Sequence, residues 1–275
     1  MTQAPLSPSL CLIIGDPVAH SLSPRMHNAA YRKMNIQYVM GAARVTEESL
    51  REAIAGVRAL NIRGLACTMP HKVSICALLD ELDPVAAAIG AVNTVVQENG
   101  KLIGFNTDWL GILRPLESKI NVRDKRVAVL GAGGAALAAV YACVTAGAVV
   151  TIFNRTVSNA LSLAKRFGVE VAPLHDSCEL ARFDIIINTT SVGMSPNVSQ
   201  SPLTESQIHS HQVIFETIYY PHETQLLRYA NTKGATILRG LDMFLEQGVA
   251  QFELHTGVKA PRETMRNEIS SALVT

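Results

Sequence analysis

Residues 127–155, VAVLGAGGAALAAVYACVTAGAVVTIFNR, decide the fold. Four apolar residues lead into Gly131-Ala132-Gly133-Gly134, and an alanine-rich run headed by Ala135 follows to Ala146. Gly147 and a second apolar run, residues 149–153, close the stretch. Strand, glycine turn, helix and strand make the unit that seats a dinucleotide pyrophosphate on a helix N-terminus. Gly131 allows the tight turn, and Gly133 keeps a Cβ away from the phosphates, which meet the unpaired N–H groups of the first helical turn. The run carries no charge from Val127 through Asn154, long enough to raise a membrane span. Its glycines, turn signal and β-branched ends predict a buried βαβ unit instead. A glycine turn that binds nothing is the other plain alternative. The end of the second strand speaks against it. Asn154-Arg155-Thr156 stands where an NAD site usually carries an acid for the ribose 2′-hydroxyl. A guanidinium suits a 2′-phosphate, which predicts NADP.

Around this core the chain has 275 residues, 48% hydrophobic and 17% charged, enough for two domains with substantial cores. A net charge of +1 without a basic block gives no footprint for nucleic acid. Cys11, Cys67, Cys76, Cys143 and Cys178 are odd in number and lack C-x-x-C spacing, which argues against disulfides and zinc and for a reducing cytoplasm. The first ten residues carry neither a basic segment nor a long apolar one, so no secretory signal is expected.

Upstream, strands are expected over residues 10–15, 38–43, 64–68, 90–96 and 102–105, with a hairpin turn at Asn99-Gly100. Helices are expected over 24–34, 46–60, 73–82 and from 109 onward, with a short one before Ile89. This predicts an α/β domain on a mixed sheet. Residues 121–125 form a polar hinge. Downstream, strands over 169–172, 184–189, 213–217 and 235–238 and helices over 158–167 and 224–233 continue a doubly wound parallel sheet. Helices over 243–252 and 261–273 have no sheet to follow and are expected to pack back on the first domain. The expected division is residues 1–120, 121–239 and 240–275.

Four polar clusters sit at predicted strand ends of the first domain: Ser21 with Ser23, Thr68 with Lys72, Asn93, and Asn106-Thr107-Asp108. They suit a small polyhydroxylated acid, facing the nicotinamide end of a cofactor. Oxidising an alcohol requires removal of its hydroxyl proton, and a lysine beside a carboxylate can take it. Each group has a structural alternative: a helix cap for one of the serines or for Asp108, an ion pair for Lys72 with Asp108, a backbone bond for Asn93. His20, His27 and His71 lack metal-ligand spacing and read as structural, so no metal is expected.

Taken in order, these clusters resemble the shikimate dehydrogenase family. The carrying residues are Gly15-Asp16-Pro17-Val18-Ala19-His20-Ser21-Leu22-Ser23-Pro24 with His27-Asn28, Thr68-Met69-Pro70-His71-Lys72, Gly90-Ala91-Val92-Asn93-Thr94 and Gly104-Phe105-Asn106-Thr107-Asp108. Further on come the glycine turn, Asn154-Arg155-Thr156, Asn188-Thr189-Thr190-Ser191-x-Gly193-Met194, Tyr219-x-Pro221-x-x-Thr224 and Gly240-x-x-Met243-x-x-x-Gln247. The resemblance implies reversible NADP-linked oxidation of shikimate to 3-dehydroshikimate, a step toward chorismate and the aromatic amino acids. Lys72 would be the acid/base, oriented by Asp108. Ser21, Ser23 and Tyr219 would hold the carboxylate; Thr68, Asn93, Asp108 and Gln247 would bond the ring hydroxyls. Gly131, Ala132, Gly133, Gly134, Ala135, Asn154, Arg155, Thr156, Asn159, Thr190 and Gly240 would line the cofactor.

The chain also departs from the family pattern. Ala66-Cys67 replaces the usual Asn-Val, Asn159 a common arginine, Leu137 a common basic residue, Glu216 an Asp and His71 a Phe. NAD use and a quinate/shikimate dehydrogenase are therefore the alternative; a non-catalytic dinucleotide-binding regulatory module has no need of Lys72 and Asp108. The expected partner is a small molecule, with no membrane or nucleic acid, on a monomer or homodimer.

Overall fold

A computed structural model describes residues 8–174 and 180–272; Cys178 and Leu273 of the sequence reading lie outside the described residues. The chain divides into two compact units, residues 1–107 with 247–275, and residues 108–246.

The first unit is built on strands β1 (Ser9–Gly15), β2 (Tyr38–Arg44), β3 (Gly64–Cys67), β4 (Glu81–Leu82), β5 (Thr94–Glu98) and β6 (Lys101–Phe105), in the order β2-β1-β3-β5-β6-β4. β1 runs parallel to β2 and β3, whereas β5 is antiparallel to β3 and β6. The carboxyl ends of β1, β3 and β6 and the amino end of β5 therefore share one sheet edge. Three helices, α1 (Ser23–Lys33), α2 (Leu50–Ala59) and α3 (Pro84–Ile89), connect these strands. On α2 the residues Leu50, Ile54 and Val57 are buried in one apolar cluster with Leu65, Val95 and Leu102 of the sheet. That is the spacing of a single helical face.

Two expectations fail here. The helix expected over residues 73–82 is a short 3₁₀ turn, Ser74–Leu78, followed by β4. Asp80 exchanges hydrogen bonds with the Leu102 backbone, its N–H donating at 3.0 Å and its carboxylate accepting at 2.7 Å. This draws the chain onto the sheet edge and out of a helix. The helix expected from residue 46 begins only at Leu50, because Thr46 and Ser49 bond each other through their hydroxyls.

The second unit carries β7 (Arg126–Leu130), β8 (Val149–Asn154), β9 (Glu170–Pro173), β10 (Ile185–Asn188), β11 (Val213–Glu216) and β12 (Thr236–Leu238), all parallel, in the order β12-β11-β10-β7-β8-β9. The order reverses direction between β7 and β10, the switch point where open α/β sheets bind ligands. Val127, Val129, Ile185 and Ile187 face one core, and Ala128, Leu130 and Ile186 the other. A parallel sheet covered on both sides accounts for such continuous apolar strands. The helices are α4 (Asp108–Glu117), α5 (Gly134–Thr145), α6 (Val157–Phe167) and α7 (Gln225–Thr232). α4 lies on α5, with Trp109 edge-on to Tyr141 at 5.8 Å.

Two further helices end the chain. α8 (Gly240–Thr256) counts with the second unit to Glu246 and with the first from Gln247, and α9 (Arg262–Ala272) packs on α1. Within the first unit α8 buries Phe252 against Tyr31 at 5.4 Å and brings His255 near His27, 6.3 Å between ring centres. Both histidines are fully buried.

Burial lowers His27 to about 3 and His255 to about 4, with mutual repulsion adding to the effect on His27. The folded chain keeps both rings neutral where the unfolded chain protonates them, so the unfolded state binds more protons below about pH 6.5. Stability from these two groups is full above that pH and falls as pH drops toward the folded values. Glu216 of the second unit, raised by burial to about 7, acts in the opposite sense by one proton. For global unfolding the net is one proton, a loss of about 1.4 kcal/mol per pH unit between about pH 5 and 6. Denaturant titrations at several pH values check this; a flat profile there would exclude buried neutral histidines.

Candidate active site

At the shared edge of the first unit, the loop after β1 and the turn after β3 are locked together. A Cβ on Gly15 would stand 2.4 Å from Thr68 Cγ2 and 2.8 Å from the Met69 carbonyl, so only glycine permits this approach. Thr68 N–H donates to the Ile14 carbonyl at 3.0 Å, and Asp16 N–H to the Met69 carbonyl at 2.9 Å. Ser21 accepts from the Ser23 backbone N–H at 3.2 Å. Leu22 holds the N-cap position of α1 without a side-chain hydrogen bond, and Ser21 before it takes up one unpaired N–H of the first turn, as the capping alternative for one serine expected. The Ser23 side chain is buried.

The lysine turn is anchored by the residue before it. His71 is fully buried, and its Nε2 lies 2.7 Å from the Val45 carbonyl, which makes Nε2 the protonated nitrogen. His71 is thus structural. Lys72 itself is half-buried, and its carbonyl accepts from Val92 N–H at 2.7 Å, tying the turn to the segment that carries Asn93.

Asn93 heads the next strand and is buried. Its Oδ1 accepts from Thr107 N–H at 2.7 Å; its Nδ2 donates to Thr107 Oγ1 at 2.8 Å and, at 3.4 Å, to Gln247 Oε1. One helical turn on, Gln251 Nε2 donates to Thr94 Oγ1 at 2.9 Å and to the Asn93 carbonyl at 3.2 Å. Asn93 bonds backbone, as its structural alternative proposed, and reaches Gln247 as well. Thr107, from the Asn106-Thr107-Asp108 cluster, and Gln251 complete the network; Gln251 was missed, and its signal is its place four residues after Gln247 on one helix face. Asp108, buried, is the first residue of α4 and so falls in the second unit.

In the second unit, Leu130 ends β7 and Gly131 turns with φ +112°, a conformation that favours glycine. A Cβ there would also lie 2.7 Å from Thr189 Oγ1, which donates to the Leu130 carbonyl at 2.6 Å. Gly133 is the exposed N-cap of α5 and supplies no side chain, leaving the N–H groups of Gly134 and Ala135 open in front of Ala132. At the end of β8, Asn154 Nδ2 donates to the Thr156 carbonyl at 2.8 Å and closes a turn that holds Arg155 outward. Arg155, Thr156 and Asn159 are all exposed. An open helix N-terminus with a guanidinium one strand away fits a dinucleotide carrying a 2′-phosphate.

Asn188 ends β10 beside Glu216, which ends β11. Asn188 Oδ1 accepts from Thr190 N–H at 3.0 Å and from Thr190 Oγ1 at 2.7 Å; its Nδ2 meets both Glu216 oxygens, at 2.9 and 3.1 Å. Glu216 is fully buried and also accepts from Ile218 N–H at 3.1 Å and Thr224 Oγ1 at 2.9 Å. Desolvation outweighs these bonds and pushes its carboxyl up to about 7. Tyr219 is half-buried against Phe244, 4.9 Å between ring centres, and burial raises its hydroxyl above the usual tyrosine value. Gly240 is the buried first residue of α8, packed on the Ile218 carbonyl.

Among the described residues, no three His, Cys, Asp or Glu side chains gather to hold a metal, and no helix is long and apolar enough to cross a membrane.

Three family models match the chain: the shikimate dehydrogenase substrate binding domain over residues 13–95, shikimate / quinate 5-dehydrogenase over 115–220, and the shikimate 5′-dehydrogenase C-terminal domain over 240–269. The shikimate dehydrogenase (NADP(+)) of Geobacillus sp. strain WCH70 is 43% identical over 272 residues, 96% of this chain and 98% of that protein. That of Carboxydothermus hydrogenoformans is 44% identical over 265 residues, 94% of this chain and 95% of that protein. The solved shikimate 5-dehydrogenase of Thermus thermophilus, in complex with NADP(H) and shikimate, superposes with a TM-score of 0.89 at 37% identity, covering 96% of this chain and 100% of that one. With matches of this extent across both units and the terminal helices, the chain belongs to the shikimate dehydrogenase family.

Proposed function

We propose that this chain is an NADP-dependent shikimate dehydrogenase, interconverting shikimate and 3-dehydroshikimate, with the dinucleotide held by the second unit. The observation that carries the reading is the amide–hydroxyl network of Asn93, Thr107 and Gln247, on the same sheet edge as the lysine turn. Asn93 Nδ2 reaches Gln247 only at 3.4 Å, a long bond that a substrate hydroxyl replaces at little cost. Thr68, Asn93, Asp108 and Gln247 bind the ring hydroxyls, and Ser21, Ser23 and Tyr219 the carboxylate. NADP, when bound, supplies the hydride acceptor. Lys72 Nζ takes the hydroxyl proton as the hydride leaves the same carbon, and returns it in reduction. Asp108 orients the lysine and stabilises its ammonium form.

The first turn of α5, from Gly133 to Ala135, faces the pyrophosphate, and Arg155 the 2′-phosphate. A second reading, use of NAD and of quinate, is favoured by what flanks Arg155. Asn159 is uncharged, and Leu137 packs against the apolar core where a basic side chain would add to the phosphate site. An odd number of cysteines without C-x-x-C spacing supports a cytoplasmic setting, and we read the protein as a monomer or homodimer.

Steady-state kinetics of Lys72→Ala are expected to show kcat lowered by about 10²-fold or more, with dinucleotide affinity little changed. An active variant would refute the role. Asn159→Arg should shift discrimination toward NADP over NAD by about 1–3 kcal/mol, the range of a hydrogen bond to a charged group. Comparison of kcat/KM for both dinucleotides, with shikimate and with quinate, measures it; unchanged discrimination means that the 2′-phosphate sits elsewhere.

A further inference from the structure

We propose that Glu216 is a positioning residue for the dinucleotide: through Asn188 it holds residues 189–192 against the glycine turn after β7, and the placement of that segment sets dinucleotide affinity. The inference rests on the functional reading above.

The chain of contacts has one possible polarity. Thr190 N–H can only donate, so Asn188 must turn Oδ1 toward it, at 3.0 Å. Asn188 Nδ2 then faces Glu216, and the side chain there must accept at both oxygens. Ile218 N–H makes the same demand from the other side, and Thr224 Oγ1 donates to the second oxygen. A glutamine would aim an N–H₂ at one of these donors; a carboxylate satisfies all of them. Downstream, Thr190 Oγ1 accepts from Val192 N–H at 3.2 Å, and Thr189 lies against Gly131 so closely that a Cβ on that glycine would be 2.7 Å from its hydroxyl. The anchor at Glu216 is therefore transmitted to the turn that precedes α5.

The groups packed on the carboxylate are Asn188 on β10, Thr217 and Ile218 after β11, and Thr224 at the head of α7, all uncharged. The charges on and beside α7, Arg228 with Glu223, pair at the surface. Uptake of a proton on Oε2 removes the acceptor that Thr224 uses and leaves Asn188 a weaker, neutral partner. Burial brings this protonation near neutral pH. The folded carboxyl is raised, so the anchor is strong above that range and weakens as pH falls through it.

The test compares the wild-type chain with Glu216→Gln. Binding of NADH and NADPH is followed by nicotinamide fluorescence from about pH 6 to 8, and amide hydrogen exchange is followed over residues 188–194 without dinucleotide. NADH carries no 2′-phosphate, whose own titration near pH 6 would otherwise intrude. The wild-type dissociation constant for NADH should rise several-fold from pH 8 to 6. In Glu216→Gln it should be raised about tenfold and be flat with pH, and exchange should be faster. Asn188→Asp in the Glu216→Gln background restores a donor–acceptor pair with reversed direction and should recover affinity. If Glu216→Gln does not fold, the wild-type profile and the double variant carry the test. A pH-independent wild-type constant, or a Glu216→Gln chain with wild-type affinity and exchange, overturns the inference alone. A wild-type chain that binds neither dinucleotide overturns the functional reading and the inference together.

Discussion

A backbone N–H can donate and never accept, and in both units that fact orients a buried asparagine. Asn93 turns its oxygen to Thr107 N–H, which leaves its amide nitrogen for Thr107 Oγ1 and Gln247. Asn188 turns its oxygen to Thr190 N–H, which leaves its nitrogen for Glu216. Each asparagine lies at the end of a strand, where the ladder stops and a side chain must take over the pairing of the main chain. An unpaired buried donor costs about 1–3 kcal/mol, so neither amide is free to flip. The remaining polar groups then follow: acceptors gather around Asn93 Nδ2, and an acceptor-only carboxylate sits opposite Asn188.

Two glycines allow the close approaches beside these networks. The β1 loop meets Thr68 because Gly15 has no side chain, and Thr189 meets the dinucleotide turn because Gly131 has none and also adopts a positive φ. Both close approaches join neighbouring parallel strands, β1 with β3 and β7 with β10. In parallel sheets the loops at the carboxyl ends lie side by side, which is why polar residues distant in sequence collect there.

Much of the fold was legible in the sequence, because it rests on local pattern. Alternating and continuous apolar runs marked the strands, and Gly131 to Gly134 marked the turn into α5. What was not legible depended on distant partners. Residues 73–82 have a helical composition, but Asp80 finds Leu102 and the segment becomes a turn and an edge strand. His71 could be read as structural, but its partner, the Val45 carbonyl, could not. Glu216 looked like a one-carbon variation on an Asp. Its burial against Asn188 and Thr224 appears only once β10 and β11 are paired in register. The polar clusters of the site were visible as positions, whereas the direction of each hydrogen bond among them was not.

The departures from the family pattern have packing explanations of unequal weight. Ala66 lies in a small apolar cluster with Ile13 and Val18, where a carboxamide would need a partner of its own. Leu137 is partly buried against the core of the second unit, where its side chain makes apolar contact. Asn159 has no such compensation: it is exposed on the first turns of α6, beside the turn that holds Arg155 outward. A surface position that gives up a charge without gaining burial changes what the surface can bind rather than how the chain folds. At the end of β8, Arg155 and Asn159 both stand exposed, so the charge at these positions bears on what that surface can bind and not on how the chain packs.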